Sequence, residues 1–329
     1  MNTYDFLAIG DLVVDDFILL KDAEAYCDLD QENCKLCVRF GDKVPYESHE
    51  ILYAVGNSAN AAVSAARLGL NASLSGVVGN DDLGKKCIET VTANGVATEY
   101  LETHPTLPTN YHYVLWYPPE RTILVNHAPY ERTIPSTLTA PKWIYLTSLG
   151  SNTEQFHHDL AAWLRQHPET KLAFQPGTFQ MKLGTEKLKE MYAQSEIFFC
   201  NYEEAQRILN THETDHKKLM DMLHDLGPKT VVMTDGIKGA YARTEAGQYY
   251  FMPVYPHTPF ERTGAGDAYA STITACLALG KTLEEALTWA PINAMSVTLQ
   301  VGAQKGLISQ DKIQEYLSKA PADYILKKI

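Results

Sequence analysis

The run Thr263-Gly264-Ala265-Gly266-Asp267 combines residue types that could move a phosphoryl group. A small-residue helical segment follows it and closes at Gly280, a residue suited to the left-handed conformation that ends helices. Amides at a helix start have no partner within the helix, so such a junction attracts anions. Gly264, Ala265 and Gly266 carry almost no side chain to hold a phosphate away from those amides. Asp267 would repel the same anion unless it had a task there. A suitable task is to take the proton of an attacking hydroxyl while charge develops against the amides. Alone, the loop also fits a simple turn in which Asp267 favours the helix N-terminus.

Other residues could cooperate with this loop. Asn201 and Glu204 lie three apart at the start of a helix, so both could face one hydrated hard cation. The same spacing also fits a capping box. Thr234, Gly236 and Gly239 surround a turn with room for phosphates or a flat ring, and equally fit an ordinary hairpin. Gly56, Asn57 and Asn60 open a small-residue helix that ends at Gly69. Asp11, Asp15 and Asp16 follow the first strand, at the end where such sheets bind ligands, and alone they read as turn and surface carboxylates. His112 and His127 lie in a hairpin and could contact a substrate, though lone histidines near strands are more often structural. Cys34 and Cys37 have metal-ligand spacing with Cys27 nearby, but no second pair completes four ligands. Incidental thiols on a short strand are the better reading.

The elements that position these groups alternate along the chain. Strands are expected at Tyr4–Gly10, Ala72–Gly79, Trp143–Ser148 and Leu172–Gly177, in Ile197–Glu204 ending in a polar cluster, and in Thr230–Ala242 as a strand, a glycine turn and a returning strand, with helices at Val55–Gly69, near 80–94 and at Asn293–Thr298. Such alternation argues for a parallel sheet covered on both faces, with ligands at the carboxyl ends of its strands. Residues 21–53 read as polar and irregular, with a short strand at Leu36–Phe40. Thr109–Trp116 and Thr122–His127 read as a hairpin.

The chain has 329 residues, enough for a large domain with an appendage, and a net charge of −12, which argues against nucleic acid or an anionic membrane as the main partner. No apolar run reaches the ~20 residues of a membrane span. The first residues do not read as a secretory signal, and six cysteines over this length do not make a disulfide framework; a reducing cytoplasm is the expectation. Gly10 is not followed by the glycine pattern of a dinucleotide-binding dehydrogenase.

Taken in order from Gly10 to Gly306, these motifs resemble the ribokinase-like, or PfkB, carbohydrate kinases. The resemblance implies a three-layer α/β/α fold with a mostly parallel central sheet and a small β lid. It places the larger domain at 1–12, 56–108 and 129–329, and the lid at 13–55 and 109–128. It implies ATP-dependent phosphorylation of a ribose- or fructose-like sugar, with a nucleoside or a sugar phosphate as the alternative acceptor. A non-catalytic sugar or nucleotide sensor on this fold is disfavoured by the intact Asp267 and glycines. Within the resemblance Asp267 is the base, the amides of 264–266 the anion hole, and Asp15, Gly56, Asn57 and Asn60 hold the acceptor. Asn201, Glu204, Thr234, Gly236, Gly239 and Asn293 serve the nucleotide, Asn201 and Glu204 through Mg2+. The family often has Asp-Thr where this chain has Glu261-Arg262, which bears on a K+ site near Glu261, Thr263 and Gly302. The resemblance also leaves room for a homodimer formed through the lid.

Overall fold

The structure, a computed structural model, describes residues 3–27, 34–118 and 120–329. The chain opens with β1 (Phe6–Ile9), then β2 (Val13–Leu20), β3 (Glu24–Tyr26), β4 (Lys35–Cys37) and β5 (Tyr46–Val55) before the first helix, α1 (Asn57–Arg67). Next come β6 (Ala72–Gly79), α2 (Asp82–Ala93), β7 (Ala97–His104), β8 (Tyr111–Tyr117) and β9 (Glu120–Leu124). Strand–helix alternation then continues with β10 (Trp143–Leu146), α3 (Glu154–Gln166), β11 (Lys171–Phe174), α4 (Thr178–Leu183), α5 (Lys189–Gln194), β12 (Ser195–Asn201), α6 (Tyr202–Leu209) and α7 (His216–His224). The chain finishes with β13 (Thr230–Thr234), β14 (Ala240–Arg243), β15 (Tyr249–Met252), α8 (Ala265–Ala278), α9 (Leu283–Thr298), α10 (Gln310–Ser318) and β16 (Lys327–Lys328).

Ten strands form one sheet in the order β16-β15-β14-β13-β12-β11-β10-β1-β6-β7. Neighbours from β7 to β13 pair parallel, and β14 to β16 complete the edge antiparallel. Successive side chains of a strand leave on opposite faces. Along β1, Phe6 and Ala8 join a core with residues of α1, α8 and α9, whereas Leu7 and Ile9 join a second core with residues of α3, α5 and α7. The result is the expected three-layer α/β/α arrangement. The sheet extends one way from β1 to β6 and the other way to β10, so the loops after β1 and β10 diverge and leave a crevice at the carboxyl ends.

A separate sheet has the order β5-β2-β8-β9. The expected hairpin is present as β8 and β9, and it joins β2 in parallel. β5 was not expected: its first half is exposed, so its polar residues mask the strand pattern. β3 and β4 form a two-stranded ribbon, and β4 stops at Cys37 rather than Phe40. At the end of that ribbon Cys27 and Cys34 are joined by a disulfide, contrary to the expectation of free thiols. The antiparallel pairing of β3 with β4 brings the two flanking cysteines together. Among the described residues no cluster of three or more His, Cys, Asp or Glu could hold a metal ion, and no helix is long and apolar enough to cross a membrane.

Candidate active site

A cavity of about 630 Å³ opens where the carboxyl ends of β1, β10, β11, β12 and β13 face the four-stranded sheet. Its wall includes Thr263, Gly264, Gly266 and Asp267. Gly264 is the N-cap of α8, with φ 80° and ψ 0°. A Cβ there would lie 2.6 Å from the Ala303 Cα, so both the conformation and the space require glycine. Gly264 and Gly266 line the cavity at the start of α8. Ala265 is the exception: its amide donates to the Arg262 carbonyl at 3.4 Å, and it does not line the cavity.

Asp267 is buried in the first turn of α8 and accepts a hydrogen bond from Asn60 Nδ2 at 2.8 Å. Burial pushes its carboxyl up to about 6; the Asn60 bond offsets part of this and the Glu204 charge adds to it. Asn60 in turn accepts from Gln304 Nε2 at 3.0 Å, and the same nitrogen donates to the Ala54 carbonyl at 2.7 Å. Asn60 therefore faces the cavity with both ends of its amide already engaged. Gln304 is a positioning group that the sequence did not single out.

Asn201 and Glu204 both line the cavity, and they form a capping box at the start of α6. The Asn201 amide donates to Glu204 Oε2 at 2.8 Å, and the Glu204 amide donates to Asn201 Oδ1 at 2.7 Å. The two readings of this pair are thus compatible. Burial pushes the Glu204 carboxyl up, and the Asn201 hydrogen bond and Arg207 charge offset this only in part. A cation at that wall would relieve the cost. Thr234, at the end of β13, lines the cavity, while Gly236 and Gly239 lie outside it. The absent side chain of Gly239 serves a neighbour, because a Cβ would fall 2.5 Å from the Met252 carbonyl oxygen. Asn293 is a correction: it is fully buried away from the cavity, donating to Thr272 Oγ1 at 2.8 Å and accepting from the Ile308 amide at 3.1 Å. It staples α9 to α8 and to the segment before α10.

The far end of the cavity is built from Asp11, Asp15, Gly56, Asn57, His112 and His127. Alternation along β2 separates the neighbouring carboxylates. Asp15 lines the cavity, while Asp16 is engaged by His49 Nδ1 and the Tyr111 hydroxyl, each at 3.1 Å. His112 Nδ1 lies 3.2 Å from Asp15 Oδ1, which has no well-aligned hydrogen-bond partner. His112 and His127 meet through their Nε2 atoms at 3.1 Å, and His127 Nδ1 lies 3.0 Å from Asp11 Oδ2. Arg132 grips the other Asp11 oxygen. Burial raises the Asp11 carboxyl, but the His127 bond and the Arg132 charge outweigh this and hold it below the ordinary carboxylate range. Both histidines line the cavity, brought there by the pairing of β2 with β8, so the less expected of their two readings in the sequence is the one their position fits.

Near the anion-binding loop, Glu261 is buried and its Oε1 accepts from the Thr263 amide at 2.7 Å. Arg121 of β9 reaches to 3.7 Å from the same oxygen. Glu261 Oε2 has no hydrogen-bond partner among the described residues. Gly302 is packed against the small sheet, where a Cβ would fall 2.2 Å from Leu52 Cδ1.

A three-layer α/β domain with its cavity at the carboxyl strand ends, capped by a smaller sheet, is the ribokinase-like fold. The model of the pfkB family carbohydrate kinases matches residues 18–310, and the chain belongs to that family. It is 28% identical over 270 residues to the ribokinase of Bacillus subtilis (strain 168), covering 80% of this chain and 87% of that protein. It is 26% identical over 295 residues to the aminoimidazole riboside kinase of Salmonella typhimurium, covering 84% of this chain and 92% of that protein. Among solved structures, Arabidopsis thaliana ribokinase complexed with ribose and ATP superposes with a TM-score of 0.79 at 17% identity, over 96% of this chain and 99% of that one.

Proposed function

We propose that the protein transfers the γ-phosphoryl group of ATP to a hydroxyl of a free sugar. The carrying observation is Asp267: a buried carboxylate held by Asn60 beside open helix amides, with its pKa pushed up to about 6. A general base works best when its pKa lies near the working pH. ATP with Mg2+ supplies the phosphoryl group and neutralises much of its charge. Asp267 takes the proton of the acceptor hydroxyl, and the amides of Gly264 and Gly266 stabilise the transferring group. Glu204 and Asn201 would hold the hydrated metal at the neighbouring wall. The turn at Gly236, with nothing within 4 Å of where a Cβ would sit, leaves space for the nucleotide beyond Thr234. The four-stranded sheet, with approximate limits 13–55 and 109–128, acts as a lid that excludes water.

Several observations favour a free sugar over the alternatives. The tyrosines nearest the small sheet, Tyr46, Tyr53, Tyr111 and Tyr113, do not line the cavity, and the aromatic rings that do are Phe179, Phe199 and Tyr269. Arg39 and Lys43 also lie outside it, and Arg39 pairs with Asp42 in solvent; Lys182 and Arg262 line it, the first over the Phe179 ring and the second 3.6 Å from Glu120. Arg121 does reach the cavity, but it faces Glu261 and provides positive charge there. For that reason we assign no monovalent cation a role. The kinship with ribokinase points the same way. The test is a phosphorylation screen of pentoses, hexoses, sugar phosphates and nucleosides with Mg-ATP. Turnover of a free sugar at least about tenfold more efficient than of the other classes is expected, a gap of about 1.4 kcal/mol. Preference for a nucleoside or a sugar phosphate would replace the proposal.

A further inference from the structure

Gln175 is the first residue beyond β11, and its amide donates to the Leu146 carbonyl at 2.9 Å, so the ladder between β10 and β11 carries on through it. By alternation its side chain leaves on the side of Ala173, toward the core that includes residues of α8, and it lines the cavity. Tyr145 of β10 is fully buried in that same core, and its hydroxyl donates to Gln175 Oε1. A buried hydroxyl proton needs an acceptor, and only the oxygen of a side-chain amide supplies one. The amide is therefore held with Oε1 on Tyr145, which leaves Nε2 for the cavity. A Cβ placed on Gly266 would lie 3.9 Å from Gln175 Nε2, so this nitrogen stands beside the anion-binding loop. Among the described residues Nε2 donates to no protein acceptor, and it is open to the cavity rather than sealed in the core. Its N–H groups are thus left for a ligand at the Asp267 end.

We propose that Gln175 is a further catalytic residue, whose Nε2 donates to an oxygen of the phosphoryl group in transfer alongside the amides of Gly264 and Gly266, and that Tyr145 is the positioning residue that sets its direction. The inference rests on the phosphoryl-transfer part of the proposed function and is independent of which alcohol accepts. In the step itself the bond from phosphorus to the ADP oxygen breaks, the bond to the acceptor oxygen forms, and the hydroxyl proton goes to Asp267. Gln175 gains and loses no proton. It meets charge on the phosphoryl oxygens with a donor fixed in place beforehand, so no reorganisation is needed as the group moves. A lysine or arginine here would compete for the carboxylates of Asp267 and Glu204, which line the same cavity. A neutral amide donates without drawing the base from its task.

Substitutions at both residues test this in the full chain, with Mg-ATP and D-ribose as the probe acceptor, or whichever alcohol the parent phosphorylates fastest. Gln175→Ala should lower kcat about 10- to 100-fold, the loss of one hydrogen bond to a charged group, with the acceptor KM within about twofold of the parent. Gln175→Glu keeps the size and the acceptor for Tyr145 but sets a negative charge where the donor was, so its kcat should fall at least about tenfold below that of the Ala variant. A side chain that only packs would give the opposite order, with Glu close to the parent and Ala the worst. Tyr145→Phe should lower kcat several-fold in the parent and have no effect beside Gln175→Ala, where there is no amide left to orient. That double variant also leaves no buried hydroxyl unpaired, so it covers the case in which Gln175→Ala alone fails to fold. Calorimetric titration with Mg-ADP and aluminium fluoride, a mimic of the transferring group, should give the same order of affinities. Parent-like kcat in Gln175→Ala, Glu above Ala, or an equal loss from Tyr145→Phe in both backgrounds would overturn the proposal. If a nucleoside or a sugar phosphate replaces ribose while the order holds, the free-sugar reading falls and Gln175 stands. If ribose is phosphorylated and the order is absent, Gln175 falls and the free-sugar reading stands.

Discussion

The two ends of the cavity are built by different means. The Asp267 end uses backbone: a left-handed glycine, the first turn of α8 and the capping box of α6, all fixed to the ten-stranded sheet. The Asp15 end uses side chains drawn from β2 and β8 of the smaller sheet, from the segments following β1 and β9, and from the start of α1. Amides of a helix start serve any phosphate, since every nucleotide presents the same chemistry to them. Side chains from separate strands can be exchanged singly, which suits the end that selects among alcohols. On the proposed reading, one end fixes the reaction and the other fixes what enters it.

The sharpest test of this division is Asp267→Asn. Turnover should fall by ~100- to 10,000-fold, the usual share of a general base, with ATP binding retained. The same substitution should stabilise the fold. A carboxyl whose folded pKa is raised favours its neutral form, so its contribution to stability is present at low pH and is lost as pH rises through about 6. A rise of about two units corresponds to about 3 kcal/mol, of which Asn should recover a part at pH 7.5. Thermal unfolding should show a higher Tm above pH 7, with the difference shrinking toward pH 5. In the parent, kcat/KM should drop as pH falls below about 6, because the base becomes protonated. A flat profile from pH 7 to 5 would remove Asp267 from the proton transfer.

Next in size is Asp15→Ala, which should raise the acceptor KM by roughly 10- to 100-fold through lost charged hydrogen bonds, and leave ATP binding unchanged. Calorimetric titration of both ligands decides this; equal weakening of both would erase the distinction between the ends. Glu204→Gln should raise the Mg2+ concentration for half-maximal rate several-fold, about 1 kcal/mol, with little change in acceptor KM. An unchanged Mg2+ dependence would leave Glu204 as a helix cap alone. The smallest effect is expected for Asp16→Asn. Its carboxylate already serves His49 and Tyr111 beside the cavity, so acceptor KM should stay within about twofold.

This same division explains what was legible in the sequence. The Thr263–Asp267 loop, the α1 start and the Asn201–Glu204 pair are local patterns, and each occupies the expected element. The central strands were readable because they are short, buried and apolar. By contrast, β5 alternates weakly and was read as irregular chain. The joining of His112, His127, Asp11 and Arg132 depends on a parallel pairing between distant strands, to which no local spacing points. Asn293 fails for the opposite reason. Its place near the end of the motif series suggested the nucleotide, but a helix interior hides it and its amide finds protein partners.

The segment from Leu299 to Leu307, between α9 and α10, touches more of this machinery than its lack of regular structure suggests. Ala303 abuts Gly264, Gln304 orients Asn60 and through it Asp267, and Gly302 receives Leu52 of the small sheet. Arg67 fastens the segment to α1 by donating to the carbonyls of Gln304 and Leu307 at 2.6 and 2.8 Å. A single added residue here would shift three settings together. Divergence in acceptor preference can therefore accumulate in the strands above the cavity, whereas this connecting segment tolerates little change in length.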